Sequence, residues 1–379
     1  MLKILITNVT IITMSHVLEL IIKKGYVYVE NGVIKAVGPG EPPPEYEFAD
    51  YVIEGKGKII TPGLCIGYFD PYQYLLRFSS KEKLRELLDT ISRNDTYYIV
   101  AVALSSLLMR GVSCIGLMLL KHFEFAAKAI KDIYVMTRML IPATSLYEID
   151  NAELMLRRIV AIEPKVIKLG IITDREALTP KLLSLVKTTN SHIYLSGGIQ
   201  EKELRNILSQ GYRITILDPE ETYAKELSSI EDLNLVVTSK GLSFWRSKSG
   251  IGVTSENIDI FSNCKRLLEL GKNPIDIFAS LTTWGAEALG FGNTGSIEPG
   301  KLALLTIFNA QNPQIWPIAG SMESLFRALV SGNVPVETVI VYDDIVIDNG
   351  ELLTAGESLL QKARDRISDV LKRLNLEIF

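Results

Sequence analysis

The stretch Lys58-Ile59-Ile60-Thr61-Pro62-Gly63-Leu64-Cys65-Ile66-Gly67-Tyr68-Phe69-Asp70-Pro71 decides how the rest of the chain is read. Two apolar runs meet at a Pro-Gly turn, and the second ends on an aromatic pair and a carboxylate. A short apolar run bounded by turn residues reads as a buried strand. The chain therefore leaves one β-structure at Pro62 and enters the first strand of another.

Upstream, every signal is β. Residues 26–30 and 33–37 are apolar-rich and flank Asn31-Gly32, a two-residue hairpin turn whose central positions both need positive φ. Pro42-Pro43-Pro44 excludes a helix or a central strand, and residues 51–54 and 58–60 read as two further strands. A small antiparallel sheet is expected.

Downstream, strands alternate with helical segments, which signals βα units and a parallel sheet. Strands are expected at 64–69, 113–118, 133–140, 166–171, 192–196, 213–217, 233–238 and 250–253. Helices are expected at 81–93, 96–109, 123–131, 152–162, 180–187, 201–209 and 222–229, then 258–270 and 274–289. Eight such strands close naturally into a (β/α)8 TIM-type barrel. After Gly290 the β signals return at 302–308, 336–342 and 345–347, and 356–374 reads as an amphipathic helix. The expected organisation is a barrel over 61–295 plus a small discontinuous β-sandwich domain from both chain ends, 1–60 and 296–379.

Composition narrows the function classes. The 379 residues are 47% hydrophobic with net charge −4, which supports a large core and offers no basic footprint for nucleic acid. Three cysteines without a CxxC pair fit a reducing compartment. The N-terminus lacks a signal-peptide pattern, and the apolar runs are shorter than the ~20 residues that span a bilayer. A cytoplasmic protein with no membrane partner is expected. Only three histidines occur, His16, His122 and His192.

The order of these elements resembles the amidohydrolase superfamily. The resemblance rests on Ile60-Thr61-Pro62-Gly63-Leu64, Gly285-Ala286-Glu287-Ala288-Leu289-Gly290 and Gly295-Ser296-Ile297-Glu298-Pro299-Gly300-Lys301. The closing 339–353 segment is similar to the last hairpin of the cytosine deaminase, guanine deaminase and triazine chlorohydrolase-like branch. Membership implies hydrolysis of C–N bonds in cyclic amides or amidines by a zinc or iron ion at the barrel mouth. It also implies a His-x-His ending strand 1, histidines ending strands 5 and 6, a glutamate after the strand-5 histidine and an aspartate ending strand 8.

None of those residues stands where the resemblance puts it. The His-x-His positions hold Tyr68 and Asp70, and the strand-5 His and its Glu fall on Tyr194 and Gly197. The strand-6 position falls near Leu217 or Asp218, and the strand-8 aspartate near Val253 or Thr254. The expectation is a degenerate amidohydrolase with no metal cofactor, binding a small heterocycle or a partner, and forming a homo-oligomer. One alternative is an active deaminase with atypical zinc or iron ligands. Another is a structural subunit whose barrel mouth is plugged by Tyr68 and Tyr194.

Asp70, Lys168 and Asp218 are the candidate acid/base groups, each with a structural alternative. Asp70 before Pro71 and Asp218 before Pro219 could equally cap helices. Lys168 occupies the strand that carries a metal-bridging lysine in dihydroorotase-like relatives, or else pairs with a carboxylate inside the barrel. Tyr68, Tyr194, His192 and Thr254 are the candidate binding residues. His192 lies two residues before Tyr194, so it faces the same side one layer deeper. Tyr68, Phe69, Tyr72 and Tyr74 either pack together or line a pocket for a flat ring.

Overall fold

A computed structural model describes residues 2–79, 82–160, 165–227, 229–230, 233–254 and 259–377. Eight parallel strands form the expected barrel: β1 (Leu64–Phe69), β2 (Val112–Met118), β3 (Met136–Pro142), β4 (Ile167–Thr173), β5 (His192–Ser196), β6 (Ile214–Leu217), β7 (Asn234–Val237) and β8 (Ser249–Ile251). Neighbours in sequence are neighbours in the sheet, and each pair is parallel. The backbone N–H of Val253 donates to Tyr68 O at 2.7 Å and joins the last strand to the first. Every residue of β6 is buried, as an apolar run covered on both faces requires.

Both chain ends contribute to a second, nine-stranded sheet. Its centre pairs Lys58–Pro62 antiparallel with Leu304–Asn309, so the opening stretch is physically the seam between sheet and barrel. The N-terminal part is mixed rather than antiparallel. Lys3–Ile12 runs parallel to both Tyr51–Glu54 and Lys58–Pro62, because the chain returns through the proline-rich loop instead of a hairpin. Asn31 and Gly32 adopt φ of 54° and 74°, as the hairpin requires. The sandwich-like core comes from one sheet curling on itself. A bridge joins Val33 to Leu302, and Ile4, Val29, Ile34, Leu305 and Ile340 share one apolar cluster.

Several helices differ from the sequence reading, among them Leu146–Val160, which starts six residues before the expected 152, and the unforeseen Pro71–Leu75. The first two helices meet at Ser92, whose side chain and Asp95 form a capping box that starts Arg93–Leu108. The expected helix 274–289 is two helices, Pro274–Ser280 and Thr283–Ala288. Between them, Leu281 O leaves the helical ladder and accepts from Cys65 N of β1 at 2.6 Å. An unforeseen helix, Met322–Val330, is capped by Ser321 and buries Phe326, Leu329 and Val330. Among the described residues no helix is long and apolar enough to cross a membrane.

Candidate active site at the barrel mouth

The C-terminal strand ends define the mouth, where barrel enzymes place their chemistry. Asp70 follows β1 directly and is 4% exposed. Its Oδ1 accepts from the backbone N–H of Tyr72 at 2.8 Å and of Gln73 at 3.1 Å, capping the short helix Pro71–Leu75. Burial pushes its carboxyl up to about 6, although the hydrogen bonds from Gln73 and Tyr72 pull the other way.

Asp218 follows β6 with φ of 46°. Its described hydrogen bonds run across the rim. Its Oδ1 accepts from Thr238 N at 2.7 Å and its Oδ2 from Thr238 Oγ1 at 2.6 Å, tying the end of β6 to the loop after β7. Burial raises its pKa against those hydrogen bonds. Tyr68 is half-buried between the two, and its hydroxyl is raised by burial and by the charges of Asp70 and Asp218. Thr254 Oγ1 lies 2.9 Å from Ser239 Oγ on the same rim. The structure thus brings Tyr68, Asp70, Asp218 and Thr254 to one end of the barrel.

Of the aromatic cluster, Phe69 and Tyr72 are core residues. Tyr72 is fully buried and donates to Lys121 O at 3.0 Å, while Phe69 packs 5.7 Å from the Tyr74 ring.

The remaining candidates lie elsewhere. Lys168 is the second residue of β4, exposed at the opposite, N-terminal end of the barrel, so it is neither a mouth residue nor paired inside. His192 opens β5 and is fully buried, with Nε2 2.8 Å from Thr215 Oγ1. Burial drives its imidazole well below the usual range, helped by the nearby charges of Arg138 and Arg213. Tyr194 lies one layer above it and donates to Ala288 O at 3.2 Å. It therefore faces inward and does not plug the mouth.

What Tyr194 and His192 serve is a feature that the sequence reading missed. Helix Thr283–Ala288 aims its C-terminal carbonyls into the base of the barrel. Tyr194 and Thr215 donate to Ala288 O, the latter at 2.6 Å, and Arg138 donates to Leu289 O at 2.9 Å. Arg138 also donates to Leu169 O at 2.7 Å and lies 4.8 Å from the Phe291 ring centre. A cation at a helix C-terminus opposes the dipole there. Burial lowers its pKa to about 10. The available signal was a lone arginine in the apolar run Met136-Thr137-Arg138-Met139-Leu140.

The family's metal can be tested against this donor set. None of the three histidines reaches the rim as a ligand: His192 is at the base, His122 Nε2 meets Ile91 O at 3.2 Å, and His16 sits in the small sheet's loop. Asp70 and Asp218 are engaged by local donors. Among the described residues no three His, Cys, Asp or Glu side chains gather as a metal-binding group. The described residues do not fit a zinc or iron centre of the family's kind.

Comparison with known proteins agrees with the architecture. The Amidohydrolase family model matches residues 247–353. A 5-methylthioadenosine/S-adenosylhomocysteine deaminase of Dictyoglomus turgidum is 21% identical over 98% of this chain and 100% of that protein. A 5'-deoxyadenosine deaminase of Methanosphaera stadtmanae is 29% identical over 33% of this chain and 29% of its own length. Among solved structures, a zinc-bound adenosine deaminase from Xanthomonas campestris superposes with a TM-score of 0.76, at 15% identity and 98% and 99% coverage. The zinc complex of atrazine chlorohydrolase from Arthrobacter aurescens TC1 also gives 0.76, at 12% identity and 96% and 100% coverage. The chain thus matches the Amidohydrolase family over residues 247–353 and is similar in fold to these relatives over nearly its whole length.

Proposed function

We propose that this chain keeps the amidohydrolase barrel without the family's metal-dependent hydrolysis, and that its mouth binds a small heterocycle. The observation that carries this reading is the use of the rim carboxylates. Asp70 caps a helix and Asp218 clamps a loop, and the family's imidazole positions hold Tyr68 and Tyr194. Deaminase relatives point to a purine nucleoside as the ligand class. Tyr68 on the rim offers both an aromatic face and a hydroxyl to such a ring.

The second reading is an active deaminase in which Asp70 handles protons. A carboxyl held near pH 6 titrates where a general acid or base is useful, which favours it. Protein purified without chelator separates the two by elemental analysis, thermal melting and ammonia release from 5-methylthioadenosine with and without added zinc. Loss of the metal centre predicts well under one zinc or iron per chain, no turnover, and a Tm unmoved by EDTA but raised by nucleosides. One metal per chain with zinc-dependent turnover abolished by Asp70→Ala would establish the second reading instead.

A further inference from the structure

At the end of the barrel opposite the mouth, a cavity of about 870 Å³ separates the strand starts from the small sheet. Four cations line it: Arg138 of β3, Lys165 just before β4, Lys168 within β4 and Arg213 just before β6. Among the described lining residues there is no Asp or Glu. Lys165, Lys168 and Arg213 are exposed at their strand starts, whereas Arg138 is 4% exposed.

The two arginines are held by neutral groups. Arg213 donates to Asn190 Oδ1 at 3.1 Å, and Arg138 donates to main-chain carbonyls. Asp344, beyond the lining, lies close enough to Lys165 to feel its charge. The Arg213 charge works against both Arg138 and His192, so the wall is electrostatically self-repelling. His192 Nδ1 is buried without a partner behind the same wall. A Cβ on Gly290, a lining residue, would stand 2.6 Å from that Nδ1 and 2.9 Å from Arg138 Nη2. The glycine lets both groups press against the cavity floor.

We propose that this cavity binds a phosphorylated small molecule carrying at least two negative charges, held by Lys165, Lys168 and Arg213 over the buried Arg138. Converging cations with no carboxylate among the described lining residues favour an anion of high charge density, and guanidinium and ammonium groups are the usual phosphate partners. The volume suits a ligand of nucleotide size. The site is independent of the chemistry at the mouth.

Calorimetry on the full chain, at fixed ionic strength, tests this with ADP, tripolyphosphate, orthophosphate and citrate. ADP and tripolyphosphate should bind saturably at one per chain, and more tightly than orthophosphate or citrate. Tighter binding of ADP marks an organic phosphate as the ligand; tighter tripolyphosphate marks an inorganic chain. The exposed pair K168E/R213E should weaken binding about 100-fold, with circular dichroism confirming its fold. If that variant does not fold, K168Q/R213Q should weaken binding about tenfold. No binding by either phosphate probe, citrate binding as tightly, or unchanged affinity in a folded variant would overturn the assignment.

Discussion

Asp70 shows how a single residue at a barrel strand's end can be turned to structural work. Its carboxyl titrates near 6 against an ordinary 3.8, chiefly because it is buried. Folding therefore favours the neutral form. That contribution is full below about pH 4 and is lost as the pH rises through about 6. Asp70→Asn keeps a capping acceptor and removes the charge. Its stability relative to the wild type should rise between about pH 4 and 6 in urea unfolding, then level off. A fall over that interval would mean that the folded protein stabilises the ionised carboxylate. Asp70→Ala, which removes the cap itself, should cost about 1 kcal/mol at pH 4. The place of Asp70 directly after the first barrel strand is legible in the sequence. Its engagement by Tyr72 and Gln73 is not, because a cap and a ligand are both written as Asp-Pro at a strand end.

At the scale of elements, the helix Thr283–Ala288 and its three carbonyl partners organise the base of the barrel. Thr215 serves two groups at once, donating to Ala288 O and meeting His192 Nε2. Thr215→Val keeps the shape and leaves both partners unsatisfied, so chemical denaturation should show a loss of about 2 kcal/mol. Thr215→Ser retains the hydroxyl and should lose about 1 kcal/mol, roughly the value of the deleted methyl. Equal losses in the two variants would show that packing, and not the hydrogen bonds, matters there. The break between Pro274–Ser280 and Thr283–Ala288 was invisible to periodicity, since both pieces are apolar and helix-compatible. What splits them is a tertiary bond, Cys65 N to Leu281 O, which no local pattern announces.

Across the whole molecule, the C-terminal helix Glu357–Arg373 returns to the barrel flank and closes the chain's circuit. Arg366 and Arg373 each reach a buried Asp95 oxygen at 2.7 Å. Burial pushes Asp95 up, but hydrogen bonds from Arg373 and Ser92 outweigh it and hold the carboxyl below its usual range. The stabilisation is therefore present above the ordinary carboxylate pKa and fades as the pH falls through the depressed folded value. Asp95→Asn should lower stability by about 2 kcal/mol at pH 7 and speed limited proteolysis at the C-terminal helix, with a smaller deficit at pH 3. Cleavage at the wild-type rate would remove the clamp from the account of how this helix is held.

The sequence by itself determined the barrel, the two-part sheet and the likeness to amidohydrolases. Strand and helix periods, the Pro62-Gly63 seam and the Asn31-Gly32 turn are local signals, each set by backbone geometry over a few residues. It also determined that Tyr68, Asp70 and Tyr194 stand in or directly after barrel strands, because those strands are themselves legible. Tertiary structure alone decided which faces these residues serve. Lys168 and Arg138 lie on adjacent parallel strands near their starts, yet one ends exposed and the other buried under a helix terminus. A strand's period assigns a side, but which side and which layer meet solvent depends on the partner that arrives from more than a hundred residues away.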